Sequence, residues 1–468
     1  MDRMSLRLRI FLFFVVLGVG GTTLVLGALY AGYLRAVQTG PLNGFVLAAT
    51  LSGFGLVALA TGIWLLCDEN VAKPIEALSA DLRARAHAGT GGAFDANRAK
   101  YLGDLAPAAH AVGAALSREA AATADRVGAE TARLASERER LTALLTEIPV
   151  AVILLGPAGR IVLYDGQAAE VLSQLGQPRL NAPITDYFAP QALASARAAM
   201  ARTGHEVRLR LAAHSGLQTF EARLRPVEGG GAMLMIDEEH LDMAPEAPRP
   251  IVFDFDLLDR PAPARLEDAP LRDLTFTVFD SETTGLLPHK DDVVQIGAVR
   301  VVNGRIVPGE VIDQLVDPGR PIPAASSKVH GVTDAMVTGQ PPIAEAGRAF
   351  HAFAAGSVIV AHNAPFDMAF LHRDAAAMGV AWDHPILDTV LLSAVLFGAS
   401  QTHTLDALCG RLNVTIPDAL RHTALGDARA TAEALVRLIP MLEAQGHTTL
   451  GAVIAQTRRH ARLLEDMN

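Results

Sequence analysis

Cysteine is almost missing from this 468-residue chain, which contains only Cys67 and Cys409. No metal-ligand spacing joins them, which excludes a disulfide framework and a zinc knuckle and places the working parts in a reducing compartment. Charge is scarce too, at 19% of residues against 50% hydrophobic, with a mean hydropathy of +0.27. A soluble enzyme carries more charge than that, so part of the chain is expected in a membrane. The net charge of −10 excludes broad electrostatic attraction to nucleic acid, because that attraction comes from Lys and Arg facing phosphates. Any chemistry on nucleic acid must come from a defined site. The length exceeds one ordinary hydrophobic core, so two or three folded units are expected.

Two uncharged apolar runs, residues 10–34 and 44–67, are each long enough to cross a bilayer as a helix, and together they define a membrane region over residues 1–67. The first run exceeds the ~7–15 residues of a signal-peptide core, so a retained anchor is expected. Arg3, Arg7 and Arg9 precede it, Arg35 alone marks the connection, and Lys73, Arg83 and Arg85 follow the second run. The positive-inside tendency then puts both termini, and everything after Cys67, on the cytoplasmic side of the inner membrane.

Residues 68–146 carry helical periodicity, with Pro74 at the expected start of a helix and the pattern resuming from Leu102. The stretch resembles the HAMP relay of membrane receptors. Ala120, Val127, Leu134 and Leu141 recur every seven residues, with Ala124 and Leu145 beside them, so a homodimer through residues 116–145 is expected. The alternative is a solvated Ala-rich spacer helix, because Thr131 and Arg138 occupy the weaker seam. Residues 147–240 read as short strands and helices, in an order that resembles a PAS domain; Asp165 stands where many PAS sequences have Asn. No Cys or His pattern marks a flavin or haem there, and His205 and His214 read as surface residues. Residues 241–272 hold Pro245, Pro248, Pro250, Pro261, Pro263 and Pro270, which predicts an extended linker and a domain boundary.

The chemistry lies after that boundary. Residues 274–280, LTFTVFD, read as a buried strand ending in a carboxylate, followed by SETTG. Alternation along a strand sends Asp280 and Glu282 to the same side. Two carboxylates side by side repel, and a divalent cation relieves them. A second apolar strand, VIVA, runs into His362 and Asn363, and Pro365 opens a helix with Asp367 in its first turn. In HTALGDARATAEAL, His422 lies just ahead of a helix that carries Asp427. Four acids and one histidine thus converge from three separated segments.

These segments, DSETTG, HNAPFD and HTALGD, resemble the three Exo motifs of the DEDDh family of 3′→5′ exonucleases, the family of bacterial DNA polymerase III proofreading subunits and ribonuclease T. The match spans residues 273–440, with a helical tail over 441–468, and includes the auxiliary stretches Gln295–Ala298, His330–Thr333 and Asp388-Thr389. It implies a C-terminal α/β domain of ribonuclease H type with a mixed sheet, within a multidomain chain of two transmembrane helices, a helical relay and an α+β PAS-like domain. It also implies two divalent cations, Mg²⁺ or Mn²⁺, held by Asp280, Glu282, Asp367 and Asp427, with all-oxygen ligation disfavouring zinc. By the same resemblance His422 is the general base, and Thr283, Thr284, Gly285, Leu286 and Asn363 hold the single-stranded 3′ end, DNA ahead of RNA. His362 is read as structural and His330 as a loop-ordering residue. The domain carries 11 basic and 17 acidic residues between Leu274 and Pro440, so long tracts of nucleic acid should bind weakly. The tail shows no evident polymerase- or clamp-binding motif. The rival expectation is a signalling receptor whose exonuclease-like output binds nucleic acid without cutting it.

Overall fold

In the computed structural model, the described residues are 6–76, 150–214, 216–227, 230–237, 251–258, 260, 265–417 and 420–468, with the single positions 79, 108 and 111. The expected coiled coil over 116–145 and most of the expected relay lie outside them. Two units are described separately, Met1–Thr123 and Ala124–Asn468.

The first unit holds α1 (Leu6–Thr39) and α2 (Pro41–Cys67). Both are long and apolar enough to cross a membrane, and only 6% of each span is buried in the protein. Phe14, Phe45, Phe54 and Trp64 point outward, as lipid-facing residues do. The helices pack through small residues, since a Cβ on Gly44 would overlap the Gly32 carbonyl and the Ala36 methyl. Both helices run past the expected limits of 10–34 and 44–67. Nothing breaks them before Gly40 at φ +100 and Pro41, so Arg7 and Arg9 lie inside α1. Pro74 does not open a new helix either: α2 continues through a π-helical turn, Asp68–Ala72, into Lys73. Widened turns of this kind let a helix pass a proline that lacks an N–H.

The second unit begins with an antiparallel sheet of β1 (Val150–Leu155), β2 (Ile161–Tyr164), β3 (Val207–Ala212), β4 (Thr219–Pro226), β5 (Ala232–Asp237) and β6 (Val252–Phe253), in the order β3-β4-β5-β1-β2-β6. Helices α3 (Gly166–Leu175) and α4 (Pro190–Thr203) contribute Val171, Leu172 and Leu193 to a core with Ile153, Leu155, Leu224 and Leu234. Asp165 explains its own position: Oδ1 caps α3 at Ala168 N, 2.7 Å, and Oδ2 accepts from Val152 N on β1 at 3.2 Å. His205 and His214 are exposed. The proline-rich stretch is not a free linker. Val252 and Phe253 pair with Tyr164 and Leu163 as β6, and Val252, Leu257, Ala269 and Leu271 are buried. Within this stretch the apolar pair Val252 and Phe253 found an edge strand to pair with.

The catalytic fold expected from residue 273 onward is a mixed five-stranded sheet, β11-β10-β7-β8-β9. β7 (Thr275–Thr283), β8 (Val293–Val302) and β9 (Arg305–Leu315) form an antiparallel meander. Asn303 and Gly304 make the tight β8–β9 turn with φ of 52° and 67°. β10 (Val358–Ala361) and β11 (Ile386–Asp388) add parallel strands, giving the ribonuclease H type. Helices α5 (Ala324–His330) and α6 (Asp334–Val337) follow β9; α7 (Ile343–Ala354), α8 (Ala364–Met378), α9 (Thr389–Phe397) and α10 (Leu405–Leu412) complete the middle. α11 (Ala424–Ala444) crosses β7 and β8 and continues through Pro440. The tail is helical over the end of α11, over α12 (Leu450–Thr457) and over one short turn. Asn468 ties its end to β11, donating from Nδ2 to Ile386 O at 2.6 Å and accepting from Ile386 N at 3.0 Å.

Candidate active site

Asp280 and Glu282 sit at the end of β7 and pair with Gly297 and Gln295 of β8. A glycine inside a β-branched strand marks a close backbone approach. Here a Cβ on Gly297 would overlap the Ala424 carbonyl carbon and Leu425 N at the start of α11. Gln295 secures the same contact, accepting from Ala424 N at 3.4 Å and donating to Asp313 Oδ1 at 2.7 Å. Thr423 caps the helix at Gly426 N, 3.1 Å. Asp427, in the first turn, therefore arrives over the end of β7. Carboxylate oxygens of Asp280, Glu282 and Asp427 lie within 4.8 Å of one another.

Asp367 stands beside this group, not inside it. Ser281 projects to the opposite face of β7 from Asp280. Asp367 Oδ1 accepts from Ser281 Oγ at 2.5 Å and from Ser281 N at 3.2 Å. The start of α8 is fixed by Asn363 at φ +72, Pro365 in the first turn, and Asp388, whose carboxylate accepts from Ala364 N at 2.6 Å and Val390 N at 2.7 Å. His362 is structural, as expected: Nδ1 meets Thr389 Oγ1 at 2.8 Å, and burial pushes its imidazole down to about 4.

Burial is the first cause that raises every acid here, followed by the neighbouring carboxylates. Asp280 lies well above the ordinary carboxylate range, pushed further by Asp367, Glu282 and Asp427. Glu282 rises to about 8. Asp367 rises to about 7 against the lowering effect of the Ser281 hydrogen bonds. Asp427 is raised by burial and partly relieved by His422. Among the described residues, no Lys or Arg forms an ion pair with any of the four. A cluster of hard oxygen donors in which no acid is ion-paired to a Lys or Arg fits Mg²⁺ or Mn²⁺.

His422 is exposed on the turn ahead of α11, at φ +55, beside Asp427. Of the residues expected to hold substrate, Asn363 and Leu286 are exposed, Leu286 by 79%. Thr283 and Thr284 are buried and build the loop. Thr283 Oγ1 donates to Gly285 O at 2.7 Å, and Thr284 Oγ1 accepts from Asp292 N at 3.0 Å. Ser326 of α5 donates to Thr284 O at 2.7 Å, and His330 Nδ1 accepts from Val332 N at 3.0 Å, ordering the next loop. Sequence reasoning missed the brace behind Leu286. Asp291 Oδ2 accepts from Leu287 N at 2.9 Å. Arg373 of α8 reaches Pro288 O at 2.6 Å and Asp292 Oδ1 at 3.0 Å, while Arg320 meets Asp292 at 3.3 Å. No local pattern signals the Arg373 and Arg320 contacts, because each joins distant segments.

Known proteins agree with this geometry. The RNase_T exonuclease family matches residues 277–435. A DNA polymerase III subunit epsilon-like protein of Rhodobacter capsulatus is 34% identical over a 699-position alignment, covering 100% of this chain and 99% of the relative. The PolC-type DNA polymerase III of Thermotoga maritima is 37% identical over 185 residues, 39% of this chain but only 13% of that polymerase. Among solved structures, Exonuclease X in complex with 5′ overhanging duplex DNA aligns at 28% identity and TM-score 0.31, covering 39% of this chain and 99% of that one. With a relative matched along its whole length and the exonuclease family matched over the acidic site, the chain belongs to the DNA polymerase III subunit epsilon-like proteins, and its C-terminal domain is an exonuclease domain.

Proposed function

We propose that the C-terminal domain hydrolyses nucleoside monophosphates from the 3′ end of a single strand in a reaction that requires divalent cations. The observation that carries this reading is the convergence of Asp280, Glu282 and Asp427 within 4.8 Å, with Asp367 alongside and, among the described residues, no Lys or Arg in an ion pair with any of the four. Asp280, Glu282 and Asp427 would hold a first Mg²⁺ or Mn²⁺, and Asp280 with Asp367 would serve a second. Bound there, the cations supply activation of a water and neutralisation of the leaving 3′ oxygen. His422, exposed beside Asp427, takes the proton of the attacking water, imidazole being the side chain most often used as a general base. Leu286, on its braced loop, packs on the terminal base, and Asn363 faces the same opening. DNA is the proposed substrate, since the full-length relative is named for a DNA polymerase.

The anchoring belongs to the same reading. α1 and α2 span the inner membrane with both termini cytoplasmic, which keeps the site beside cellular DNA. The 150–258 domain is PAS-like in its strand order, and the heptads of residues 116–145 pair two chains, downstream of a HAMP-like relay. The full-length protein in detergent, given 5′-labelled single strands of DNA and RNA with Mg²⁺ or Mn²⁺, should yield a ladder shortened from the 3′ end, faster on DNA. Release of the label as the first mononucleotide, or intact strands with both metals, overturns the proposal.

A further inference from the structure

The acidic site is not the only place where charge is buried. Arg300 of β8 and Glu310 of β9 are each 2% exposed and joined at 2.9 Å, Nε to Oε2. Three of their other hydrogen bonds cross to the neighbouring domain. Tyr164 of β2 donates its hydroxyl to Glu310 Oε1 at 2.9 Å, and Leu180 N donates to the same oxygen. Arg300 Nη2 donates back to Leu180 O at 3.1 Å. Val302 and Val307 of the β8–β9 hairpin complete the apolar core of the 150–258 sheet. A buried ion pair is tolerated only when its other hydrogen-bonding positions are met, and here the second domain meets them.

The same network closes the end of α7. The last carbonyls of a helix have no partner within it, and cationic donors suit them because the helix dipole is negative at that end. Arg300 Nη1 donates to Phe353 O at 3.0 Å and Ser357 Oγ to Ala354 O at 2.6 Å. Ala355 O receives Arg179 Nη1, at 3.0 Å, from the neighbouring domain. Arg179 is itself 6% exposed and held by Asp186 at 2.5 Å. Ser357, whose Oγ also lies 2.7 Å from Thr277 Oγ1 of β7, leads directly into β10. That strand ends at Ala361, and five residues separate its end from the Asp367 position in the first turn of α8.

We propose that the 150–258 domain is a working part of the exonuclease, with Arg179 and Tyr164 as positioning residues that fix the α7–β10 corner and, through β10 and the start of α8, the carboxylate of Asp367. The inference rests on the functional reading above. It departs from a picture of a detachable sensor joined to its output by a flexible linker. Removing the domain would strip Glu310 of two donors, Arg300 of an acceptor and Ala355 of its cap.

The test uses the full-length protein and the variants Arg179→Gln, Arg179→Lys and Tyr164→Phe, assayed well below their melting temperatures. Displacing a reacting group slightly from a distance costs on the order of 10- to 100-fold in rate, so Arg179→Gln should lower kcat by about 10-fold with an unchanged KM for a single-stranded oligonucleotide. Its Mn²⁺ affinity should fall in parallel. Arg179→Lys, which keeps a charged donor, should recover most of both, and Tyr164→Phe should show a smaller loss of the same kind. Wild-type kcat and Mn²⁺ affinity in Arg179→Gln and Tyr164→Phe, with only the melting temperature lowered, overturn the inference. If Arg179→Gln does not fold, Tyr164→Phe decides alone. If the wild-type protein cuts no strand, the functional reading fails, and Mn²⁺ affinity still decides this one: weakened in the variants, it stands; unchanged, it falls.

Discussion

Strand β8 passes two clusters of buried charge that the protein treats in opposite ways. At Arg300, the Glu310 carboxylate meets a guanidinium at 2.9 Å, a tyrosine hydroxyl and a backbone N–H. Three residues earlier, at Gly297, the strand lies against Asp280, and the carboxylates of Asp280, Glu282 and Asp427 lie within 4.8 Å of one another, with no Lys or Arg among the described residues in an ion pair with them. Burial raises both sets of acids. At Glu310 the guanidinium of Arg300 opposes that rise, whereas at Asp280 every neighbouring charge adds to it. Buried charge that the chain balances itself serves architecture. Buried charge left unbalanced must be balanced from solution, and divalent cations are the fitting ions.

Several substitutions would break this contrast, beginning with the largest effect. Asp280→Ala should abolish nucleotide release by several orders of magnitude and weaken metal binding with it; activity restored by excess Mn²⁺ would count against shared carboxylate ligation. His422→Ala should leave the four acids and metal affinity intact while kcat falls by about 10²–10⁴-fold and the acidic limb of the pH–rate profile disappears. An unchanged limb would place the base elsewhere.

Stability should separate the clusters just as sharply. Glu310→Ala leaves Arg300 buried without its partner and should cost about 3–5 kcal/mol in denaturant unfolding. Asp280→Asn should do the reverse in metal-free protein and raise the melting temperature, because it removes one of several repelling charges. A drop in both variants would erase the distinction. The smallest effect is a pH dependence. Glu282, at about 8, and Asp367, at about 7, keep their protons to higher pH when folded than when unfolded. The unfolded chain therefore binds fewer protons between about pH 4.5 and 8, and metal-free stability should fall as pH rises through that window. Saturating Mn²⁺ should flatten the slope.

The acidic cluster was legible in the sequence because its signals are local. Two carboxylates two apart at a strand end must share a face, and Pro365 and the helix-forming run from Ala424 mark the helices that carry Asp367 and Asp427. The Arg300–Glu310–Tyr164 cluster gave no such signal. Tyr164 meets Glu310 across 146 positions of sequence, and Arg300 sits in a strand that otherwise reads as plain apolar core. The proline-rich stretch misled for a related reason: prolines announce what a segment cannot be, but whether Val252 and Phe253 find an open strand edge depends on β2, far away in sequence. The two apolar helices fall where the hydropathy put them but were bounded too tightly, since hydropathy ends at the last apolar residue while a helix runs on to its breaker at Gly40.

Calorimetric titration of the metal-free, full-length protein with Mn²⁺ near neutral pH tests the contrast between the two clusters most directly. About two ions per chain should bind the wild type, the binding should collapse in Asp280→Asn, and the bound ions should raise the melting temperature of the wild type alone. Titration without saturable heat, or the same isotherm in Asp280→Asn, would contradict the reading of the acidic cluster as a cation site.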